Sequence, residues 1–364
     1  MSAYLDYNAT APIDPAAVEA MAEAARVWAN PSSVHTAGRR AKGRLESARE
    51  TIARHLNCQP QALVFTSGGT EALGLALRGV RAGAQIVSAI EHDAVRLQAD
   101  GAIVAPVDGD GVVDLAALER LLAEAPAPAL VAVMHVNNET GVVQPVDEVL
   151  RVARAHGARV LVDAVQSAGK LPVPAADFVA VSAHKLGGPP GVGALIVRCA
   201  DDFEAVQRGG GQERGYRAGT ENLPGIAGFA TALSARVADT GWLDRATALR
   251  DRLEARLREA VPEVEIFGAG APRLGTTSCL WMPGVPASTQ LIALDLAGFQ
   301  VSSGAACSSG KVKTSHVLSA MGASDAAAGE AIRVSLGWNS TEAEVDGFAD
   351  AWIALARRQA AKAA

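Results

Sequence analysis

"DFVAVSAHKLGGPPGVGALIV" (residues 177–197) sets two apolar runs, "FVAVSA" (178–183) and "GALIVR" (193–198), on either side of a short turn rich in glycine and proline. Neither run alternates between apolar and polar. Each is apolar almost throughout, the pattern of a strand buried on both faces. Outward from this stretch the same pattern recurs in "ALVFTS" (62–67), "QIVSAI" (85–90), "AIVAPV" (102–107), "ALVAVMHV" (129–136) and "RVLVDAV" (159–165). Helical patterns lie between the runs, among them "DLAALERLLAEA" (114–125) and "PVDEVLRVARAHG" (145–157). The second has Pro145 near its start and Gly157 at its end, where helices favour them. Alternating strands and helices imply an α/β fold with a mostly parallel sheet and helices on both faces. Ligands of such sheets bind at the carboxyl ends of the strands.

The chain has 364 residues, beyond the ~250–300 at which single cores stop growing, so two lobes are expected. The pattern changes at a long charged amphipathic stretch, "WLDRATALRDRLEARLREAV" (242–261), followed by mixed segments and an alanine-rich final helix. The expected division is a large domain over 15–244 and a smaller α+β domain from 1–14 and 245–364. Hydrophobic residues make up 49% and charged residues 20%, which excludes disorder and membrane classes. A net charge of −6 gives no sign of a nucleic-acid groove. The N-terminus "MSAYLDYNATAPIDP" does not read as a signal peptide. No apolar run approaches the ~18–20 residues of a spanning helix. The four cysteines, Cys58, Cys199, Cys279 and Cys307, form no C-x-x-C pair. That spacing predicts neither a metal site nor disulfides, and it suits the cytoplasm.

The strand ends carry the polar residues of interest. "TSGGTEA" (66–72) is a strand-to-helix turn whose free N–H groups can hold a phosphate, or a plain glycine turn capped by Thr70. His92 in "AIEHDAV" is either an ordinary histidine or an acid–base or stacking group. "MHVNNETG" (134–141) puts a polar cluster directly after a buried strand. Asp163 and Gln166 follow the next strand. Ser182, His184 and Lys185 follow the one after. A lysine between two apolar strands is a desolvated amine suited to Schiff-base chemistry, or the partner of Asp163 in an ion pair. A phosphate cup, a lysine nucleophile and a buried aspartate are together the equipment for pyridoxal 5′-phosphate. A nucleotide P-loop at "GAACSSGK" (304–311) fails, because its glycine spacing is one residue too long and Val312 follows the lysine. Cys307, in "VSSGAACSSGKV" (301–312), sits among small residues with no apolar periodicity, with Lys311 and Lys313 beyond it.

"YLDYNATAP", "NPSSVH", "FTSGGTEA", "EHDAV", "HVNNETGVVQP", "VDAVQSAGK", "SAHKLGGPPGVGAL", "GGGQERGYRAGTEN", "VSSGAACSSG" and "SHVLSAMG…IRVSLGWNST" occur in this order. Together they resemble cysteine desulfurases of the NifS/IscS type, which are class V aminotransferase-like enzymes of pyridoxal phosphate fold type I. The resemblance implies conversion of L-cysteine to L-alanine, with the sulfur passed through a cysteine persulfide toward iron–sulfur clusters or other sulfur products. It makes Lys185 the Schiff-base lysine and Cys307 the persulfide-forming cysteine, with His92 stacking on the ring and moving protons. Asp163 is implied to hold the pyridine nitrogen and Gln166 the phenolic oxygen. Gly69, Thr70, Ser182 and His184 are implied to bind the phosphate. Asn138 would lie beside cofactor and substrate, Arg333 would clamp the substrate carboxylate, and Thr220 would reach the phosphate of the neighbouring subunit in a homodimer. A sulfur-acceptor protein, either an iron–sulfur scaffold or a sulfur carrier, is the implied partner.

Departures from the family pattern give further expectations. Gly69 stands where many relatives carry alanine, an exchange expected to be harmless because the backbone is the ligand. Ala183 and "GPPG" alter the packing beside Lys185. "KVKTSHV" is more basic than usual. The chain ends at "RRQAAKAA", short of the extension with which housekeeping relatives dock a scaffold.

Overall fold

The computed structural model describes residues 2–304 and 314–363. Seven strands form one sheet, in the spatial order Leu63–Thr66, Gly193–Val197, Phe178–Ser182, Arg159–Asp163, Ala129–Met134, Ala84–Ser88 and Ile103–Ala105. Each apolar run named above falls on one of these strands. From Ile103–Ala105 across to Phe178–Ser182, neighbouring strands are parallel.

Gly193–Val197 departs from that direction and runs antiparallel to both of its neighbours. Chain length is the reason. Residues 183–192 hold one 3₁₀ turn, Ala183–Lys185, whereas a parallel return needs a crossover of about a dozen residues or more. The chain therefore doubles back, with Ser182 opposite Gly193.

Successive residues of a strand face opposite sides of the sheet. Val131 and Val133 pack in one layer with helices Thr36–His55 and Val146–Ala155. Leu130 and Ala132 pack in the other with helix Gly69–Gly79. Both layers are buried, which accounts for the near-continuous apolar runs. Val160, Leu161 and Val162 are fully buried, and each such side chain contributes about 1.5–3 kcal/mol relative to exposure.

A separate core draws on both ends of the chain. Ala3 and Leu5 pack with Trp242, Leu253, Leu280, Ile332, Phe348 and Trp352. Its frame is an antiparallel sheet of Ala331–Ser335, Thr277–Trp281 and Glu265–Ile266, with helices Trp242–Ala260 and Glu342–Ala363. Strand Ala3–Tyr4 pairs in parallel with Phe299–Gln300. On these cores we propose the division into a large domain and a smaller one built from both termini, with Trp242 as the first residue of the returning segment. No helix among the described residues is long and apolar enough to cross a membrane.

Candidate active site

Where the carboxyl ends of the large sheet meet the smaller core, the chain encloses a cavity of about 340 Å³. Strand Leu63–Thr66 leads through Gly68 into helix Gly69–Gly79. Gly68 has φ +153°, a conformation open to glycine, and brings no capping side chain. The first N–H groups of the helix therefore lack partners within it, and the positive end of its dipole lies at the cavity. Gly69 and Thr70 line the wall there. A Cβ on Gly69 would lie 2.7 Å from Val165 Cγ2, so alanine there requires Val165 to shift.

Asp163 ends its strand 7% exposed, with Oδ1 accepting from the Val165 N–H at 2.9 Å. Burial pushes its pKa up, opposed by that hydrogen bond and by the charges of His92 and Lys185. Gln166 donates through Nε2 to the Asn8 carbonyl at 3.0 Å, while its Oε1 is buried without a partner.

Lys185 lies in the 3₁₀ turn after Ser182. The ion pair with Asp163 is not formed. Lys185 Nζ donates instead to the carbonyl oxygens of Asn8 at 2.6 Å and Ala9 at 2.8 Å. Burial lowers its pKa to about 8, and the Arg333 charge adds to this while Asp6 and Asp163 oppose it. Burial, helped by the Lys185 charge, brings His184 down to about 4, and its Nδ1 meets Thr10 Oγ1 at 3.0 Å. His92 caps the helix Asp93–Arg96. Its Nδ1 accepts from the Ala94 N–H at 3.0 Å, which leaves the ring hydrogen on Nε2.

Arg333 comes from the smaller core and is 5% exposed. Nη2 donates to Asp6 Oδ1 at 2.7 Å and Nη1 to the Asn138 carbonyl at 3.1 Å, while Nε is buried without a partner.

Ten of the residues singled out from the sequence line this one cavity: Gly69, Thr70, His92, Asn138, Asp163, Gln166, Ser182, His184, Lys185 and Arg333. Thr220 is exposed and not among the lining residues. Cys307 lies outside the described residues.

Two contributors went unassigned in the sequence. Asn8 receives both Lys185 and Gln166 at its carbonyl, and Asp6 holds Arg333. Both sit in "YLDYNATAP", where Asp6, Asn8 and Thr10 alternate with less polar residues, the one available signal. Glu91 is a third. It is fully buried, and its Oε1 accepts from Ser88 Oγ at 2.5 Å and the Met134 N–H at 2.7 Å, tying the His92 turn to two strands.

Residues 3–348 match the family model for class V aminotransferases. The chain belongs to the class V aminotransferase family. Within it, the chain is 39% identical to an IscS-like cysteine desulfurase of Mycobacterium tuberculosis, an alignment covering 100% of this chain and 99% of that protein. It is 41% identical to a cysteine desulfurase of Cereibacter sphaeroides, covering 94% and 92%. A solved NifS-like protein from Rickettsia africae superposes with a TM-score of 0.90 at 34% identity, covering 97% of this chain and 98% of that one. The class V fold thus accounts for the sheet, the smaller core and the cavity between them.

Proposed function

We propose that the protein is a pyridoxal 5′-phosphate-dependent L-cysteine desulfurase that forms L-alanine and collects the sulfur on Cys307 as a persulfide. The observation that carries this is the convergence of Lys185, Asp163, Gln166, Arg333 and the Gly69 helix start on one cavity, in a chain whose relatives are named cysteine desulfurases.

The residues fit the cofactor. Asp163 is a buried carboxyl with no cation within ion-pair distance among the described residues, which suits a protonated pyridine nitrogen. The unpartnered Gln166 Oε1 and the uncapped helix start are further open polar positions in the same wall. Gly69, Thr70, Ser182 and His184 would hold the phosphate, and Lys185 would bind the aldehyde carbon. Bound there, the group supplies an electron sink for the α-carbon of an attached amino acid.

The chain's own residues do the rest. Arg333 takes the substrate carboxylate, with Asn138 beside it. A lysine lowered to about 8 has a substantial neutral fraction near neutrality and can carry the α-proton. His92 lines the same space with its ring hydrogen on Nε2. The Cys307 thiolate attacks the substrate sulfur. An S–S bond forms as the substrate C–S bond breaks, the electron pair stays on carbon, and a proton completes alanine. Lys311 and Lys313 favour that thiolate. In the finer reading the protein is a cytoplasmic homodimer in which exposed Thr220 reaches the neighbouring subunit's phosphate site. The persulfide goes on to an acceptor protein for iron–sulfur cluster or other sulfur-product assembly. The three described cysteines are free thiols, as in a reducing compartment.

The test is alanine and sulfide formation from L-cysteine with a reductant, comparing wild type with Cys307→Ala. Equal alanine and sulfide from wild type and neither from the variant are expected. Full activity in Cys307→Ala would turn the assignment to a lyase that releases sulfur directly.

A further inference from the structure

The acidic residue of "NNETG" has no part in the reaction above. Glu139 is 3% exposed, and its backbone is held by Asn137 Oδ1, which accepts from the N–H groups of Glu139 (2.9 Å) and Thr140 (3.0 Å). Its carboxylate meets the chain on both sides of residues 305–313. On the near side Gly304 packs so closely on Oε2 that a Cβ would strike the carboxylate. On the far side Ser315 Oγ donates to the same Oε2 at 2.5 Å while accepting from the Leu318 N–H at 3.1 Å. The hydroxyl that caps helix His316–Ala320 is therefore also tied to Glu139. One oxygen atom touches both stems.

The near stem is fixed a second time. Ser302 exchanges backbone hydrogen bonds with Arg333, at 3.2 Å and 2.6 Å. Arg333 in turn donates to the carbonyl of Asn138, directly before Glu139. Cys307 follows Gly304 by three residues.

We propose that Glu139 is a positioning residue for Cys307: its carboxylate fixes the two points from which the cysteine-bearing segment starts and ends, in register with Arg333. This rests on Cys307 being the sulfur acceptor. Small misplacements of a reacting group are costly, on the order of a hundredfold in rate for about 1 Å. The loss should therefore fall on kcat rather than on L-cysteine binding.

The experiment compares holoenzyme variants Glu139→Ala, Glu139→Gln, Gly304→Ala, the Glu139→Ala/Gly304→Ala double variant and Cys307→Ala. Alanine formation should fall about tenfold or more in Glu139→Ala, with the L-cysteine concentration for half-maximal change in cofactor absorbance within about twofold of wild type. Glu139→Gln keeps an oxygen for Ser315 and should recover most of the rate. Gly304→Ala should be slow alone yet add nothing to Glu139→Ala, because the carboxylate it strikes is gone. It also carries the test without emptying a buried site.

A readout independent of turnover is the rate at which a haloacetamide alkylates Cys307 without substrate, followed by peptide mass. That rate should change in Glu139→Ala and return to the wild-type value in Glu139→Gln. Burial raises the Cys58 thiol to about 11 and also raises that of Cys199, so both should alkylate more slowly, and the peptide mass separates them from Cys307. Wild-type kcat in Glu139→Ala, a glutamine variant as slow as the alanine one, or a parallel loss of L-cysteine binding would each overturn the proposal. Full activity in Cys307→Ala would instead overturn the assignment of Cys307 as acceptor.

Discussion

At Lys185, burial acts against the ammonium form and the Arg333 guanidinium adds to it, so the amine titrates near 8 rather than at the usual 10.5. Below that point the neutral fraction falls tenfold per pH unit, and above it the fraction saturates. Imine formation between the cofactor-free protein and pyridoxal phosphate should therefore quicken up to about pH 8 and then level off. The check is the visible absorbance followed after mixing from pH 6 to 10. A rate still climbing at pH 10 would mean an unperturbed lysine. Residues like Lys185 and Asp163 are legible in a sequence because a charged group at the end of an apolar strand has few structural uses. Asn8 and Asp6 are not. Their partners lie 177 and 327 residues away, and nothing local in "YLDYNATAP" says which carbonyl or carboxylate will face the amine or the guanidinium.

Among the elements, the turn from strand Leu63–Thr66 into helix Gly69–Gly79 shows what spacing alone conceals. Its glycines are readable as a phosphate cup, but the close contact of Gly69 is with Val165, on a different strand end. Gly69→Ala should overpack this contact by ~1–3 kcal/mol. Cofactor affinity should weaken roughly twofold to tenfold if half of that reaches the site, since about 1.4 kcal/mol is one decade in an equilibrium constant. Adding Val165→Ala should restore it, as measured by titrating the cofactor-free variants with pyridoxal phosphate. A single variant that binds as tightly as wild type would show that Val165 yields freely. The apolar runs themselves were readable because burial on both faces leaves no room for polar residues. The direction of Gly193–Val197 was decided by something the runs do not carry, the shortness of its connection.

Across the molecule, one buried arginine joins three parts of the large domain. Arg49 of helix Thr36–His55 donates to the Leu63 carbonyl at 2.8 Å and pairs with both oxygens of Glu213 at 2.8 and 2.9 Å, its guanidinium 4.5 Å from the Phe65 ring centroid. Glu213 and Arg214 have φ of +45° and +57°, a region that costs a non-glycine residue about 1–2 kcal/mol. The pair holds the segment leading to Thr220 in that shape. Arg49→Ala leaves the buried Glu213 carboxylate without its cation, held only by the Phe65 N–H at 2.8 Å, and should lower stability by ~3–5 kcal/mol, measured by urea unfolding. A shift below about 1 kcal/mol would mean that water replaces the guanidinium. The two lobes could be anticipated from length and from the change of pattern, but the closing of the second core by the first few residues depends on contacts between opposite ends of the chain. The doubling back at Lys185 bears on how this chain acquires its shape. Ser182 opposite Gly193 is the shortest-range strand pairing in the large sheet, so its loop-closure entropy is the smallest. The lysine hairpin should gain amide protection early in refolding, before the parallel strands Ala129–Met134 and Arg159–Asp163 find each other. Pulse-labelled hydrogen exchange would show that order, and simultaneous protection of all the strands would refute it. On this ordering, the Lys185 amine is in place before the walls that will desolvate it.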